Sequence, residues 1–244
     1  MFIAVFTFLF VTAYAADDLP SYVHVCGYKD PNYDQCILDN INNMKAMVCT
    51  GMPELNVPPT EPIIVDKIVI FDTNNLKLFL QDTKIFGYCD FIVQSFKVNV
   101  DKYRLNVDFL LKHLKLETLY DIDIRLLVTF ANKGLVHIFA DDVEGKLDVE
   151  LKNVTKNGKT EIYASKISTN FDILDKKFTY EFDDNEKNLI PLHQAIRNIV
   201  SENEKEILAK IKPIAEEKTS QVLISVINNI TYHRFDQLFP EKTP

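Results

Sequence analysis

The sequence predicts an α+β protein: a short N-terminal helix, a long antiparallel β-meander and a long C-terminal helix around which the sheet must curve. Three observations carry this. Apolar residues alternate with polar ones between about residues 63 and 182, the period of strands with one greasy and one wet face. From Leu189 to Ile230 the apolar spacing becomes three or four, the period of one helix face. A helix of that length overhangs any small flat sheet, whereas a strongly curved sheet covers much more of it.

The chain opens with the apolar run Met1–Val11, too short to span a bilayer, followed by Ala13-Tyr14-Ala15, a small-residue cleavage signal. This predicts a signal peptide over residues 1–15 and a secreted, extracellular product comprising a single domain over residues 16–244. No later run is apolar for long enough to cross a membrane.

Residues 34–49 read as the first helix, with Ile37, Ile41, Met44 and Val48 on one face, Asp34 as its cap, and Gly51 and Pro53 as its stop. Pro58-Pro59-Thr60-Glu61-Pro62 is extended. Six to eight strands follow. The clearest alternations are Leu105-Val107-Phe109, Leu147-Val149-Leu151 and Phe178-Tyr180-Phe182. Asn132-Lys133-Gly134 and Lys156-Asn157-Gly158-Lys159 read as turns, the second carrying the Asn-Gly pair that hairpins favour. The last helix starts near Asn188 as cap, with Pro191 in its first turn, and runs to about Tyr232. It spans ~65 Å at 1.5 Å per residue. Pro213 inside it removes a backbone donor and predicts a bend there. Nothing marks a flexible linker or an internal repeat.

The formal charge of −8 argues against nucleic acid, whose phosphates need a basic face, and against tight docking on anionic lipid. All four cysteines lie between residues 26 and 89. Outside the cell they oxidise, and four allow three connectivities. Cys26–Cys36 closing a short loop, with Cys49–Cys89 pinning the first helix to a strand, is favoured over free buried thiols at Cys49 and Cys89. Their spacing does not suit zinc.

The chain holds no G-x-S-x-G elbow, H-E-x-x-H, P-loop or G-x-G-x-x-G. Its five histidines, His24, His113, His137, His193 and His233, lack ligand spacing. The pairs Asp121/Asp123, Asp141/Asp142 and Asp183/Asp184 read as strand ends and turns before acid–base or calcium sites. No enzyme activity, cofactor or metal is expected. Asn153-Val154-Thr155 and Asn229-Ile230-Thr231 are glycosylation sequons, the first beside a hairpin and the second on the last helical turns.

The ordered set of Cys26…Cys36 with Asp30-Pro31 between, Gly51-Met52-Pro53-Glu54-Leu55, Glu61-Pro62, and the closing Asn228-Asn229-Ile230 to Leu238-Phe239-Pro240 resembles the takeout and haemolymph juvenile hormone binding protein family of insects. The resemblance spans nearly the whole mature chain. It implies a long helix wrapped by a highly curved antiparallel sheet, a TULIP-like lipid-binding superfold shared with larger two-barrel lipid transfer proteins. It implies that Cys26–Cys36 is the N-terminal disulfide. It further implies a carrier whose partner is a small hydrophobic ligand: a juvenile-hormone-like terpenoid, a fatty acid or another lipid.

Seventeen Phe and ten Tyr without a Trp give a large aromatic interior. Periodicity does not distinguish a filled interior from a hollow one; a tunnel is what the resemblance implies. Following the inward pattern, the candidate ligand-binding residues are Phe79, Phe91, Leu105, Val107, Phe109, Leu126, Val128 and Ile138 from the sheet, with Val222 and Val226 from the helix. Tyr103, Tyr120, Tyr163 and Tyr180 are candidate hydrogen-bond donors to a guest. The alternative function is an extracellular signalling or interaction protein with a filled core. A small-ester hydrolase comes third, since it needs a nucleophile activated by histidine.

Overall fold

A computed structural model describes residues 19–99, 101–125, 129–156, 159–173, 178–183, 189–231 and 233–244. Helix α1 covers Tyr33–Thr50 and ends at Gly51. The sheet follows as β1 (Ile63–Asp72), β2 (Leu76–Phe86), β3 (Phe91–Asn99), β4 (Arg104–Arg125), β5 (Thr129–Lys156), β6 (Lys159–Asp172) and β7 (Phe178–Phe182). Helices α2 (Ile190–Glu202), α3 (Glu204–Thr231) and the short α4 (Phe235–Leu238) close the chain.

Every strand pairing is antiparallel. The long strands β4 and β5 form a spine paired continuously from Arg104↔Glu150 to Arg125↔Thr129. On β4, one half carries β2 and the other β3; on β5, one half carries β7 and the other β6. The sheet thus has two lobes on one spine, and it curls into a half-barrel around the helices.

The curl is built into the spine. On β4 the inward residues are odd-numbered from Leu105 to Leu111 and even-numbered from Leu114 to Ile124. Opposite, β5 changes phase between Val143 and Ala140, where Asp142 has φ 52°. Such a break in a ladder bends the strands and sharpens their twist. Exposed pairs Lys112–Asp142 and His113–Asp141, each at 2.7 Å, lie on the outside of this bend.

Asn132-Lys133-Gly134, expected as a turn, lies within β5. Gly134 serves close approach instead. It sits opposite Tyr120, and a Cβ there would fall 2.8 Å from the Tyr120 oxygen. Gly145 does the same for Phe109 further along the same pair of strands. Each glycine lets an aromatic ring from β4 lie flat across β5. The other expected turn does separate two strands, Lys156 pairing with Lys159; residues 157–158 lie outside the described set.

The C-terminal helix is interrupted at Asn203 rather than bent at Pro213. The Asn203 side chain and backbone both donate to the Ile199 carbonyl, closing α2 before α3 begins. Pro213 is accommodated inside α3. Pro191 occupies the first turn of α2 as expected, whereas Asn188, the expected cap, lies outside the described residues and the cap position belongs to Leu189. Asp34 lies in the first turn of α1, whose cap position is Asn32.

Helix α3 spans the gap between the two sheet edges. Toward β6, Glu216 accepts from the Phe171 amide (2.9 Å), Ser220 from the Thr169 amide (3.2 Å), and Asn228 both accepts from and donates to Ala164 (2.7 and 3.1 Å). Toward β1, Lys210 donates to the Ile70 carbonyl at 2.6 Å. These side chains satisfy edge groups that would otherwise invite another strand.

The termini are clasped together. The amides of Cys26, Tyr28 and Lys29 donate to the carbonyls of Leu238, Pro240 and Glu241, and Asp30 accepts from the Thr243 amide and hydroxyl. The two ends of the sequence that carry the motifs above therefore lie side by side. Disulfide Cys26–Cys36 ties this clasp to α1. Buried Asn40 of α1 completes it by exchanging two hydrogen bonds with the His24 backbone.

Candidate functional site: an apolar hollow under the helices

Where β1, β2, β7 and the adjoining halves of β4 and β5 face α2 and the first half of α3, the side chains do not meet. They leave a cavity of about 160 Å³. The sheet contributes Ile68, Leu80, Leu116, Val136 and Ile138 among others, and the helices contribute Ile196, Val200, Ile207, Ile211 and Ile214. Period two on the strands and period 3.6 on the helices place these residues inward from opposite sides. Among the described residues lining the hollow none is charged; the only hydroxyls belong to Tyr88, Tyr120 and Tyr180.

At the α2 end the wall is aromatic. Phe182 stacks on His193 with ring centroids 4.1 Å apart and planes within 5°. Tyr120 packs edge-on against Phe182 at 5.4 Å. Its hydroxyl lies 3.4 Å from His193 Nε2 and accepts from Asn132 Nδ2 at 3.3 Å. Arg197 covers the outer faces of Tyr180 and Phe182. Burial pushes the Tyr180 phenol above its ordinary pKa, with Arg197 pulling the other way.

Of the ten candidate residues, Ile138 lines the hollow. Phe79 lies between Leu78 and Leu80, both of which line it, and therefore points to the opposite face of β2, where Lys67 sits 4.2 Å above its ring. Phe91 and Phe109 are not in the wall, but they pack in a cluster with Val143 and Phe171, which are. Val107 is buried but not part of the cavity wall. Leu105 packs with Val149, Ala164 and Ile167 against the second half of α3. Val222 and Val226 face Met52, Leu55 and Val57 below α1. Leu126 and Val128 lie outside the described residues.

Tyr120 and Tyr180 reach the wall, while Tyr103 and Tyr163 are largely exposed. Tyr88 was missed by the inward pattern because it belongs to a 3-10 turn, not to a strand. Its flanking residues, Gly87 and Cys89, were the available signal.

The disulfides are Cys26–Cys36 and Cys49–Cys89. Cys49, Cys89 and Glu61 bring three donor atoms within 4.8 Å of one another, but both sulfurs are committed to the disulfide and offer no thiolate to a metal. Asp121 and Asp123 are paired with Lys133 and Arg125. Asn153 is exposed on β5, whereas Asn229 donates to the Asn56 carbonyl at 2.9 Å. Among the described residues no helix is long and apolar enough to cross a membrane.

A curled antiparallel sheet closed by a long helix over an apolar hollow defines a class of hydrophobic-cavity proteins. The chain belongs to the haemolymph juvenile hormone binding protein family, which matches residues 5–240. Its fold is similar to that of Takeout 1 from Epiphyas postvittana, with a TM-score of 0.66 and 18% identity over 86% of this chain and 95% of that one. Lipopolysaccharide binding protein superposes with a TM-score of 0.48 and 10% identity over 83% of this chain and 40% of that one. Comparison with curated proteins by sequence gave no match.

Proposed function

We propose that this protein is a secreted carrier that holds a small hydrophobic ligand, a juvenile-hormone-like terpenoid, a fatty acid or another lipid, with no bond made or broken. The observation that carries this reading is the uncharged apolar wall around unfilled space. A void in a protein interior forfeits contacts on every lining atom, so an empty one is a standing cost that a guest relieves. The family and its fold point the same way.

The present volume of about 160 Å³ matches a guest of benzene's bulk, for which ~150 Å³ suffices. A whole terpenoid needs wall side chains to change rotamer. A ligand burying ~350 Å² of apolar surface gains ~9 kcal/mol, against at least ~4 kcal/mol for association. Enclosure alone thus gives weak binding, and tight binding calls for a placed hydrogen bond as well.

In this reading residues 1–15 are a leader removed on export, leaving one domain over residues 16–244, and Asn153 is the better placed glycan acceptor. The test is displacement of a fluorescent fatty probe from the purified protein by terpenoids, fatty acids and other lipids. Displacement at micromolar concentrations is expected. Failure of every lipid class to displace it overturns the carrier reading.

A further inference from the structure

The filled end of the barrel has an exposed lip. Tyr103, the residue just before β4, is 40% exposed. Its backbone is fixed: φ is 51°, and its carbonyl accepts from the Leu151 amide at 2.8 Å, one step past the pair Arg104↔Glu150. On β5, Asn153 lies two residues beyond Leu151 and therefore on the same face. Leu151 packs into the filled cluster, so that face continues the core outward. Ile162 of β6 pairs with Asn153. Leu151 and Ile162 are half-buried, while Asn153 and Thr155 are exposed. The core thus ends at this lip in partly exposed apolar surface.

Asn153-Val154-Thr155 puts a glycan acceptor on that surface. Asn153 Nδ2 donates to the Tyr103 hydroxyl at 3.3 Å. A sugar joined to the same nitrogen has its first carbon roughly 1.5 Å further on, the length of a carbon–nitrogen bond. The sugar therefore starts beside the phenol ring. The axial C–H groups of an N-acetylglucosamine give it an apolar face, which covers aromatic surface while the hydroxyls stay in water. At the second sequon, by contrast, Asn229 is half-buried and its amide is spent on the Asn56 carbonyl at 2.9 Å.

We propose that Asn153 carries an N-linked glycan whose first N-acetylglucosamine packs on the Tyr103 ring and caps the filled end. This rests on the export in the reading above. Attachment bonds Nδ2 to C1 of the sugar, breaks the bond from C1 to the diphosphate of a lipid-linked oligosaccharide donor, and releases an amide proton with the lipid diphosphate. Transfer takes place on the emerging chain, so the fold decides what the sugar touches rather than whether it is added. By taking apolar area out of water at the lip, the glycan acts on stability and not on solubility alone.

The test uses protein secreted from a eukaryotic cell line. Mass spectrometry of intact glycopeptides should find Asn153 occupied. Thr155→Ala, which removes the sequon and keeps Asn153, should lower the thermal midpoint by about 2–4 °C, the shift a modest contact gives in a chain of this size. Thr155→Ser keeps the sequon and should keep the midpoint. In a Tyr103→Ala background Thr155→Ala should lower the midpoint little further, whereas in Tyr103→Phe, which keeps the ring, it should cost as much as in the wild type. A secreted chain with Asn153 bare overturns the modification and leaves the carrier intact. Loss of the glycan at no cost in the wild type, or at undiminished cost in Tyr103→Ala, overturns the packing on Tyr103. A chain kept inside the cell with its leader attached removes export and this proposal with it, while displacement of the fatty probe still decides the carrier separately.

Discussion

Strands β4 and β5 run through two interiors. At one end Leu105, Leu147 and Leu151 close directly on Leu223, Ile224 and Ile227 of α3, and Val149 and Ala164 are left 1% exposed. At the other end Leu116, Val136 and Ile138 face α2 and the first half of α3 across empty space. Both ends use inward aliphatic residues on the same two strands. The difference lies in the helical layer. In the filled end α3 is tied to the β6 edge by Ser220 and Asn228, which draws the backbones together. In the hollow end the helical layer is broken at Asn203, and α2 contributes apolar contacts to the wall. Lys210 and Glu216 also tie α3 to the edge residues Ile70 and Phe171, which line the hollow, so the break at Asn203 and not the edge bonding sets the open end apart.

The largest test of this contrast compares two leucines of β4. Leu111 is 1% exposed in the packed cluster; Leu116 borders the hollow. Leu111→Ala should cost about 3–5 kcal/mol, because it removes apolar contacts and leaves a new void. Leu116→Ala should cost about 1–2 kcal/mol, since part of that side chain already lacks neighbours. Urea unfolding of both variants decides it, and equal losses would mean that the two ends are packed alike.

The opposite change sharpens the comparison. Ala164 is 1% exposed in the filled end, while Ala140 lines the hollow. Ala164→Leu should overpack and cost about 1–3 kcal/mol. Ala140→Leu should be close to neutral in stability, filling space that is free, yet should abolish probe binding. Comparable destabilisation by both, or probe binding untouched by Ala140→Leu, would contradict the hollow.

How much of this was legible beforehand follows from what periodicity can encode. The alternation at Leu105-Val107-Phe109 marks a strand and its inward face, and the structure agrees. It does not say whether the facing helix is near or far, which is why most candidates fell in the packed end. Around Leu78-Phe79-Leu80 the polar Lys77 and Gln81 share the parity of Phe79, so the alternation marked Leu78 and Leu80 as inward and the size of Phe79 concealed it. Gly134 looked like a turn because glycine in a strand has two readings, and only the Tyr120 ring opposite selects between them. Asn203 outranked Pro213 as the break in the helix because its side chain takes the Ile199 carbonyl and ends the ladder there. The cysteines were the clearest signal, since pairing in sequence order demanded no distant contact.

The smallest expected effect concerns the terminal clasp, which lies at the filled end beside α1 and should respond to acid before the hollow does. The Thr243 hydroxyl and amide hold the Asp30 carboxyl below its ordinary pKa, the side-chain bond mattering most. A carboxyl lowered in the folded state binds its proton more readily when released. Its contribution is therefore complete above the usual carboxylate range and disappears as pH falls through the lowered value. Glu241, held low chiefly by Lys29, acts in the same direction. Amide protection at Tyr28 and Lys29, whose N–H groups reach the Pro240 and Glu241 carbonyls, should drop across that acid window while protection along β4 beside the hollow persists. Asp30→Asn should flatten most of the pH dependence at Tyr28 and Lys29. If the β4 amides lose protection first, or if the variant titrates as steeply as the wild type, the clasp is not what acid releases, and the filled end owes its closure to the packing of Leu55, Val57 and Leu238 instead.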